Sequence, residues 1–229
     1  MRILLIHTAG GEGSVALADT EAEGAIVATE VLPGRTSSER LVPAVRRLME
    51  ERGWRLGELA AVVVVHGPGS FTGVRVGLSA AKGLSEAGGV GLIAVSRLAL
   101  LAACVDRVEG GGGEGSVHAV LDAGRGEFYY GEYVGRRCQR EVLMGGEDVL
   151  AAVAGGVVVV CEAKATEGLA GLGLGLRMVE EPLAGDALPL ALGRIEARDF
   201  DDAATLDANY LRRTDAEIFA KTAAQRDVR

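Results

Sequence analysis

The sequence predicts an α/β protein built from two similar halves. Residues 59–65 form a continuous apolar run that ends at a glycine and a proline, which is typical of a strand buried on both faces of a sheet. Two short apolar strands, one in each half, end in the related turns His7-Thr8-Ala9-Gly10 and Asp122-Ala123-Gly124-Arg125. A second strand follows each turn. This repeated strand–turn–strand pattern, although weak, indicates a duplicated fold.

The first half opens with strands. Residues 3–6 and 14–18 are predicted to pair as a hairpin across a glycine loop, and residues 25–32 form a third extended run. A helix should follow, because Thr36 and Glu39 have capping-box spacing ahead of one apolar face. Pro43 is too deep for the first turn of a helix that starts at Thr36. The helix therefore either starts nearer Glu39 or is kinked at the proline.

The sequence is organised around residues 65–83, where a strand gives way to a glycine-rich turn and then a helix rich in small residues. Gly67 and Gly69 permit backbone conformations that other residues avoid. Thr72 is the best candidate for the helix N-cap, and Ser70 is the alternative. The stretch therefore predicts a sharp turn from a buried strand into a helix.

Two interpretations of this stretch compete. A glycine turn at a helix N-terminus can hold an anion through its N–H groups, but a Walker A loop needs Gly-Lys followed by Ser or Thr, and this turn lacks that sequence. The candidate contacts for an anion or nucleotide are Gly67, Gly69, Ser70, Thr72 and, from the second half, Asp122. Alternatively, Gly73, Gly77 and Ala81 recur at i, i+4 and i+8 and form a nearly bare helix face. Close approach of another helix or of a sheet, as an interface or a core contact, is the favoured interpretation.

The remaining elements follow from apolar runs and caps. A strand over residues 91–95 precedes a helix over residues 98–103 that Ser96 caps. The glycines at 110–113 predict a flexible connector, so we expect lobes over residues 1–104 and 114–229. In the second lobe we expect strands at 117–121, 128–134 and 157–161 and helices at 146–154 and 183–197.

Composition and charge limit the function. The chain has 229 residues, of which 48% are hydrophobic, and a formal net charge of -8. The negative charge argues against independent binding to a polyanion. Cys104, Cys138 and Cys161 are odd in number and have no metal-binding spacing, which favours free thiols in a reducing cytoplasm. The apolar run at residues 3–6 is too short for a membrane span, so a cytoplasmic protein with no membrane partner is expected.

The run Gly67-Pro68-Gly69-Ser70-Phe71-Thr72-Gly73-Val74-Arg75, with Ala81-Lys82-Gly83-Leu84, closely resembles the signature of the bacterial TsaB family. Residues 210–217 are similar to the closing motif of that family. The resemblance implies the actin, sugar kinase and Hsp70 (ASKHA) fold, with two ribonuclease-H-like lobes. It also implies a non-catalytic scaffold that pairs with TsaD in the complex that makes threonylcarbamoyladenosine on tRNA.

Further expectations come from the same resemblance. The ATPase TsaE would join the complex, ATP would be used by the complex, and tRNA would be reached only through it. From the residues themselves, the isolated chain is expected to bind no cofactor and no metal, because His7 stands where a carboxylate would be needed and no His-x-x-x-His pair occurs. Because the bare helix face is the favoured contact, the expected partner interface comprises Glu39, Arg40, Gly73, Arg75, Gly77 and Ala81. A homodimer through the same face is a further expectation.

Two other functional classes stay open. A stand-alone ASKHA phosphotransferase is disfavoured because His7 stands where nucleotide-hydrolysing members have an acidic residue, although Asp122 keeps a carboxylate in the second half. A metallopeptidase is disfavoured because the sequence contains no His-x-x-x-His pair. A self-associating regulatory protein would use the bare helix face for dimerisation.

Overall fold

The computed structural model describes residues 1–109, 115–153 and 155–211. Within these ranges the first sheet has five strands: β1 (Arg2–His7), β2 (Gly13–Asp19), β3 (Ile26–Leu32), β4 (Ala61–Val65) and β5 (Gly91–Val95). Their order is β3-β2-β1-β4-β5. The first two strands form the predicted antiparallel hairpin, whereas β1, β4 and β5 run parallel. Every residue of β4 is buried, which explains its uninterrupted run of valines after Ala61.

The second sheet also has five strands in the described residues: β6 (Ser116–Gly124), β7 (Glu127–Val134), β8 (Arg137–Gly145), β9 (Val157–Val160) and β10 (Leu176–Met178). Its order is β10-β9-β6-β7-β8. Numbered from its own first strand, each sheet has the order 3-2-1-4-5, and each opens with an antiparallel hairpin. The repeated topology confirms the duplicated ASKHA fold expected from the sequence.

Six α-helices accompany the sheets in the described residues: α1 (Ser37–Glu51), α2 (Phe71–Gly88), α3 (Arg97–Glu109), α4 (Gly146–Ala152), α5 (Ala163–Leu169) and α6 (Leu188–Glu196). The last of these confirms the helix predicted near the C-terminus, with Pro189 in its first turn, where a missing N–H removes no intrahelical hydrogen bond. Among the described helices, none is long and apolar enough to cross a bilayer.

At both helix starts in the first half, the structure agrees with one of the alternatives that the sequence left open. Thr36 precedes α1, but its hydroxyl donates a hydrogen bond to the Pro33 carbonyl at 2.7 Å and makes no cap. The helix begins at Ser37, with Thr36 in the N-cap position, and continues through Pro43, so the alternative start nearer Glu39 is not observed. At α2 the hydroxyl of Ser70 accepts the Gly73 N–H at 3.3 Å, so Ser70 is the N-cap and Thr72 lies in the first turn.

On each side of the predicted boundary between the lobes, one segment of the chain packs against the sheet of the other lobe. The expected connector at 110–113 lies outside the described residues. Helix α3 belongs by packing to the second sheet, because Leu98 and Leu101 share a core with Leu121 of β6. In return, the segment from Ala184 to Ala208 packs into the core of the first sheet. The chain therefore exchanges segments between the two lobes, and a single cut near residue 110 does not separate their cores.

Candidate functional site

A cleft of about 430 Å³ lies where the two lobes meet. The loop after β1, the glycine turn before α2 and the start of α3 form one side. Asp122 near the end of β6, the residues that follow β9 and Glu181 after β10 form the other. Carboxyl ends of strands meet here, which is where α/β sheets commonly bind ligands. The cleft is therefore the candidate functional site.

The side chain of Arg97 is at the centre of this cleft. It is only 3% exposed, and its Nη2 donates to Glu162 Oε1 at 2.9 Å and to Glu181 Oε1 at 2.6 Å. Burial alone would lower the pKa of Arg97, but the neighbouring carboxylates outweigh burial and raise it. Arg97 is therefore a permanent buried cation that binds two carboxylates.

Each of these carboxylates also accepts a backbone hydrogen bond. Glu162 Oε2 accepts the N–H of Asp122 at 3.0 Å, and both oxygens of Glu181 accept the N–H of Gly11, at 3.0 and 3.3 Å. Asp122 lies in the strand that opens the hairpin of the second lobe, and Gly11 lies in the hairpin loop of the first. The ion pairs of Arg97 therefore connect the corresponding hairpins of the two lobes.

His7 ends β1 and is 1% exposed. Its Nδ1 accepts the Ala9 N–H at 3.2 Å, while Nε2 has no partner among the described residues. Burial, and then the charge of Arg97, lower the pKa of His7 from 6.5 to about 3. The imidazole is therefore neutral at physiological pH and supplies no carboxylate for magnesium or a phosphate-activating role.

The cleft also contains a cysteine and an aspartate. Burial raises the pKa of the Cys161 thiol to about 12, so a thiolate nucleophile is not available at neutral pH. Asp122 lines the cleft and its Oδ1 accepts the N–H of Gly124 at 3.1 Å. Across the described ranges, no group of three or more His, Cys, Asp and Glu side chains is arranged to hold a metal ion.

The glycine turn packs against the end of β1. Gly67 and Gly69 adopt φ of 107° and 156°, and a Cβ on Gly69 would overlap the carbonyl oxygen of Ala9. A Cβ on Gly73 would overlap the carbonyl oxygen of Thr8, whose hydroxyl donates to the Gly73 carbonyl at 2.7 Å. The glycines of this turn therefore allow two backbone segments of the same chain to touch.

The bare face of α2 contacts the chain's own sheet. A Cβ on Gly77 would overlap Thr8 Oγ1 and approach Ile6, and Ala81 is fully buried in the same core. The expectation that Gly73, Gly77 and Ala81 line a partner interface is therefore wrong, and the core-contact alternative is correct. Small residues occur here because β1 lies against the helix.

The other predicted interface residues lie away from the cleft. Glu39 and Arg40 are exposed on α1. The guanidinium of Arg75 lies 3.2 Å from the ring centre of Phe71 and 5.0 Å from that of Tyr210, and Phe71 is 62% exposed. These side chains present charge and apolar area at the surface.

Of the five candidate anion contacts, only three line the cleft: Gly69, Ser70 and Asp122. Thr72 faces a neighbouring cavity of about 340 Å³ between the β1 loop and the starts of α1 and α2. Gly67 is buried next to Val74. The structure therefore brings three of the five predicted contacts to one cleft and leaves the other two outside it.

Sequence reasoning missed Arg97, Glu162 and Glu181. Each is a charged residue next to a buried strand or an apolar run, and this pattern could have indicated a buried charge that needs a partner. Arg97 is 65 residues from Glu162 and 84 from Glu181, and no spacing rule connects such distant positions.

The fold and the cleft define a two-lobed α/β protein of the ASKHA class whose cleft is occupied by its own ion pairs. A family model described as "TsaD: tRNA N6-adenosine threonylcarbamoyltransferase" matches residues 26–155, more than half of the chain. The chain belongs to this family and, within it, to the TsaB/YeaZ proteins.

Individual relatives agree with this assignment. The tRNA threonylcarbamoyladenosine biosynthesis protein TsaB of Escherichia coli K12 is 38% identical over 133 residues, which cover 58% of this chain and 55% of that protein. TsaB of Bacillus subtilis is 37% identical over 99 residues, 43% of this chain and 41% of that protein. The matched region thus spans about half the length of these curated relatives. The solved structure of YeaZ from Pseudomonas aeruginosa has a TM-score of 0.76 at 28% identity, with coverage of 92% of this chain and 99% of that one.

A second solved structure carries a different functional description. It is an uncharacterized Pseudomonas aeruginosa protein described as similar to the peptidase YeaZ. Its TM-score is 0.78 at 28% identity, and the match covers 92% of this chain and 99% of that one. The likeness extends over both lobes, so it concerns the whole fold.

Proposed function

We propose that this chain is a non-catalytic scaffold subunit of the complex that forms threonylcarbamoyladenosine on tRNA, where it pairs with TsaD and is joined by TsaE. The observation that carries the proposal is the occupied cleft: Arg97 binds the carboxylates of Glu162 and Glu181 where a substrate would enter. The names of the TsaB relatives supply the pathway. In this proposal ATP and tRNA are used by the assembled complex, and the isolated chain binds no cofactor.

The proposed contact surface is the exposed side of α1 and α2. These helices pack against each other, and each presents an exposed apolar side chain, Val42 at 54% and Phe71 at 62%. Glu39 and Arg40 flank Val42 on the exposed side of α1, and Arg75 lies over Phe71. Apolar anchors surrounded by charges are typical of protein interfaces. TsaD is the proposed occupant, and a second copy of the chain is the alternative.

Co-purification with TsaD from the same organism tests this proposal. The wild-type chain should bind TsaD, and Val42→Asp should weaken binding at least about tenfold because it places a charge in an apolar contact. Leu150→Asp is the matched control, since Leu150 is 42% exposed on α4 of the second lobe. Equal loss with both variants, or no TsaD binding by the wild type, would contradict the proposal.

Catalysis by the chain alone is the competing function. The phosphotransferase alternative predicts steady ATP turnover that depends on Asp122, the carboxylate on the cleft wall. The peptidase alternative, suggested by the description of one structural neighbour, predicts cleavage of peptides. We expect neither activity from the purified chain. ATP turnover that disappears with Asp122→Asn would replace the scaffold proposal with the phosphotransferase.

A further inference from the structure

The carboxylate of Glu181 is bound as an anionic ligand would be. Both of its oxygens accept the Gly11 N–H, and one lies 2.6 Å from Arg97 Nη2. A backbone N–H in a glycine loop together with a guanidinium is a common way to bind a phosphate or carboxylate group. Here the group comes from the chain itself, from a residue 170 positions after Gly11.

The glycine loop is shaped for this approach. A Cβ on Gly10 would overlap Glu181 Oε1, and it would lie 3.3 Å from an Arg97 nitrogen. Gly11 leaves the second oxygen room, because a Cβ there would lie 3.3 Å from Glu181 Oε2. A side chain at position 10 would displace the carboxylate, and one at position 11 would crowd it. The loop therefore leaves space for an anion beside its backbone.

Arg97 retains an unused hydrogen-bond donor. Its side chain is 3% exposed, yet Nε has no partner among the described residues. A buried guanidinium donor without an acceptor is costly. Arg97 also lines the cleft of about 430 Å³, together with Ser70 and Lys164. Arg97 thus lines a space larger than the Glu181 carboxylate, while its unpartnered Nε is itself buried.

We infer that Gly10, Gly11 and Arg97 form an anion-binding cradle, that Glu181 is its internal ligand, and that a small oxyanion binds there when Glu181 is displaced. The ligand class is a carboxylate or a phosphate group. Among the residues that the structure describes, Glu181 makes no hydrogen bond other than these, so the exchange replaces one set of anion contacts by an equivalent set. This site goes beyond the proposed scaffold role and does not require TsaD.

Anion rescue of a Glu181→Ala variant tests the cradle. The purified variant is heated in acetate, in inorganic phosphate or in chloride alone, at constant ionic strength. An anion with a dissociation constant of about 10 mM, added at about 50 mM, should raise the unfolding midpoint by about 2–4 °C in a protein of this size. Acetate alone would assign carboxylates to the cradle, and a response to phosphate as well would include phosphate groups.

Matched variants separate a site from a general salt effect. Glu180→Ala removes the same charge from an exposed neighbouring residue and should not respond to acetate. Arg97→Met combined with Glu181→Ala removes the cation and should abolish the response. Glu181→Gln should not respond either, because its amide fills the cradle. If Glu181→Ala folds only partly, the folded fraction by circular dichroism gives the same readout. Absence of rescue, or equal rescue of Glu180→Ala, would overturn the inference.

Discussion

Gly77 lies directly against Thr8, and a Cβ on Gly77 would overlap the Thr8 hydroxyl oxygen. Gly77 lies in α2 and Thr8 directly follows β1, so the contact fixes the distance between a helix and its sheet. The position of the Thr8 hydroxyl is also fixed, because it donates a hydrogen bond to the Gly73 carbonyl at 2.7 Å. A side chain at position 77 therefore has to move the helix, the strand or both.

The first prediction concerns stability at this contact. Gly77→Ala should destabilise the isolated chain, since overpacking typically costs about 1–3 kcal/mol. That loss corresponds to a midpoint of thermal unfolding lower by at least about 2–4 °C. Gly83→Ala is the control on the same helix, because a Cβ there meets nothing within 4 Å. It should be neutral or stabilising by up to about 1 kcal/mol. Equal midpoints for the two variants would contradict the contact.

The same glycines illustrate what a sequence can and cannot predict. A stripe of small residues indicates close approach of two backbones, and this was correct. It does not tell whether the second backbone belongs to the same chain, because β1 and a partner helix would require the same small residues of α2. That choice depends on the position of Thr8, which is 65 residues from Gly73.

Some of the strands were predicted from the sequence and others were not. Both hairpins and the buried strands β4, β5 and β9 were predicted because burial requires apolar or aromatic side chains. The strand β8 was missed, since its first four residues are exposed and polar enough to resemble a loop. Ion pairs across the cleft were missed for a different reason. Each partner is an ordinary charged residue until the two lobes bring them together.

The second prediction follows from the neutral His7. The folded pKa of His7 is about 3, below its ordinary value of 6.5, so the unfolded state takes up a proton first as the pH falls. The contribution to stability is complete above pH 6.5 and is lost progressively as the pH falls towards 3. Between pH 7 and pH 5 the loss is about 2 kcal/mol.

Denaturant unfolding at several pH values measures this contribution. The variant His7→Asn retains an acceptor for the Ala9 N–H but does not titrate in this range. Its stability should therefore change less between pH 7 and pH 5 than that of the wild type, whatever its absolute stability. Parallel pH curves for the two proteins would mean that His7 is not the group responsible.

The third prediction concerns the buried cation. Arg97→Met leaves the carboxylates of Glu162 and Glu181 without their cation, which should cost about 2–3 kcal/mol because both carboxylates are largely buried. Arg46→Met is the control: Arg46 pairs with Glu50 on the exposed side of α1, and we expect no measurable change in unfolding. A similar small effect for both variants would mean that the ion pairs across the cleft do not hold the lobes.

The last prediction concerns the charges at the proposed TsaD interface. Arg40 is exposed beside Val42 on α1, and a charge at the rim of an interface changes the rate of association more than the lifetime of the complex. Arg40→Glu should therefore alter the association rate constant several-fold at low salt, and the difference from the wild type should shrink as ionic strength rises, because salt screens exposed charges over about 10 Å at 0.1 M. The dissociation rate should change little.

Surface plasmon resonance with TsaD from the same organism, recorded at two salt concentrations, separates the two rates. Arg137→Glu is the matched control, because it reverses an exposed charge on β8 of the second lobe. It makes the same change in net charge, so a general electrostatic effect would alter both variants equally. A slower association confined to Arg40→Glu would place α1 at the edge of the contact. A faster dissociation of Arg40→Glu, insensitive to salt, would instead put Arg40 in a buried part of the interface and contradict the rim assignment.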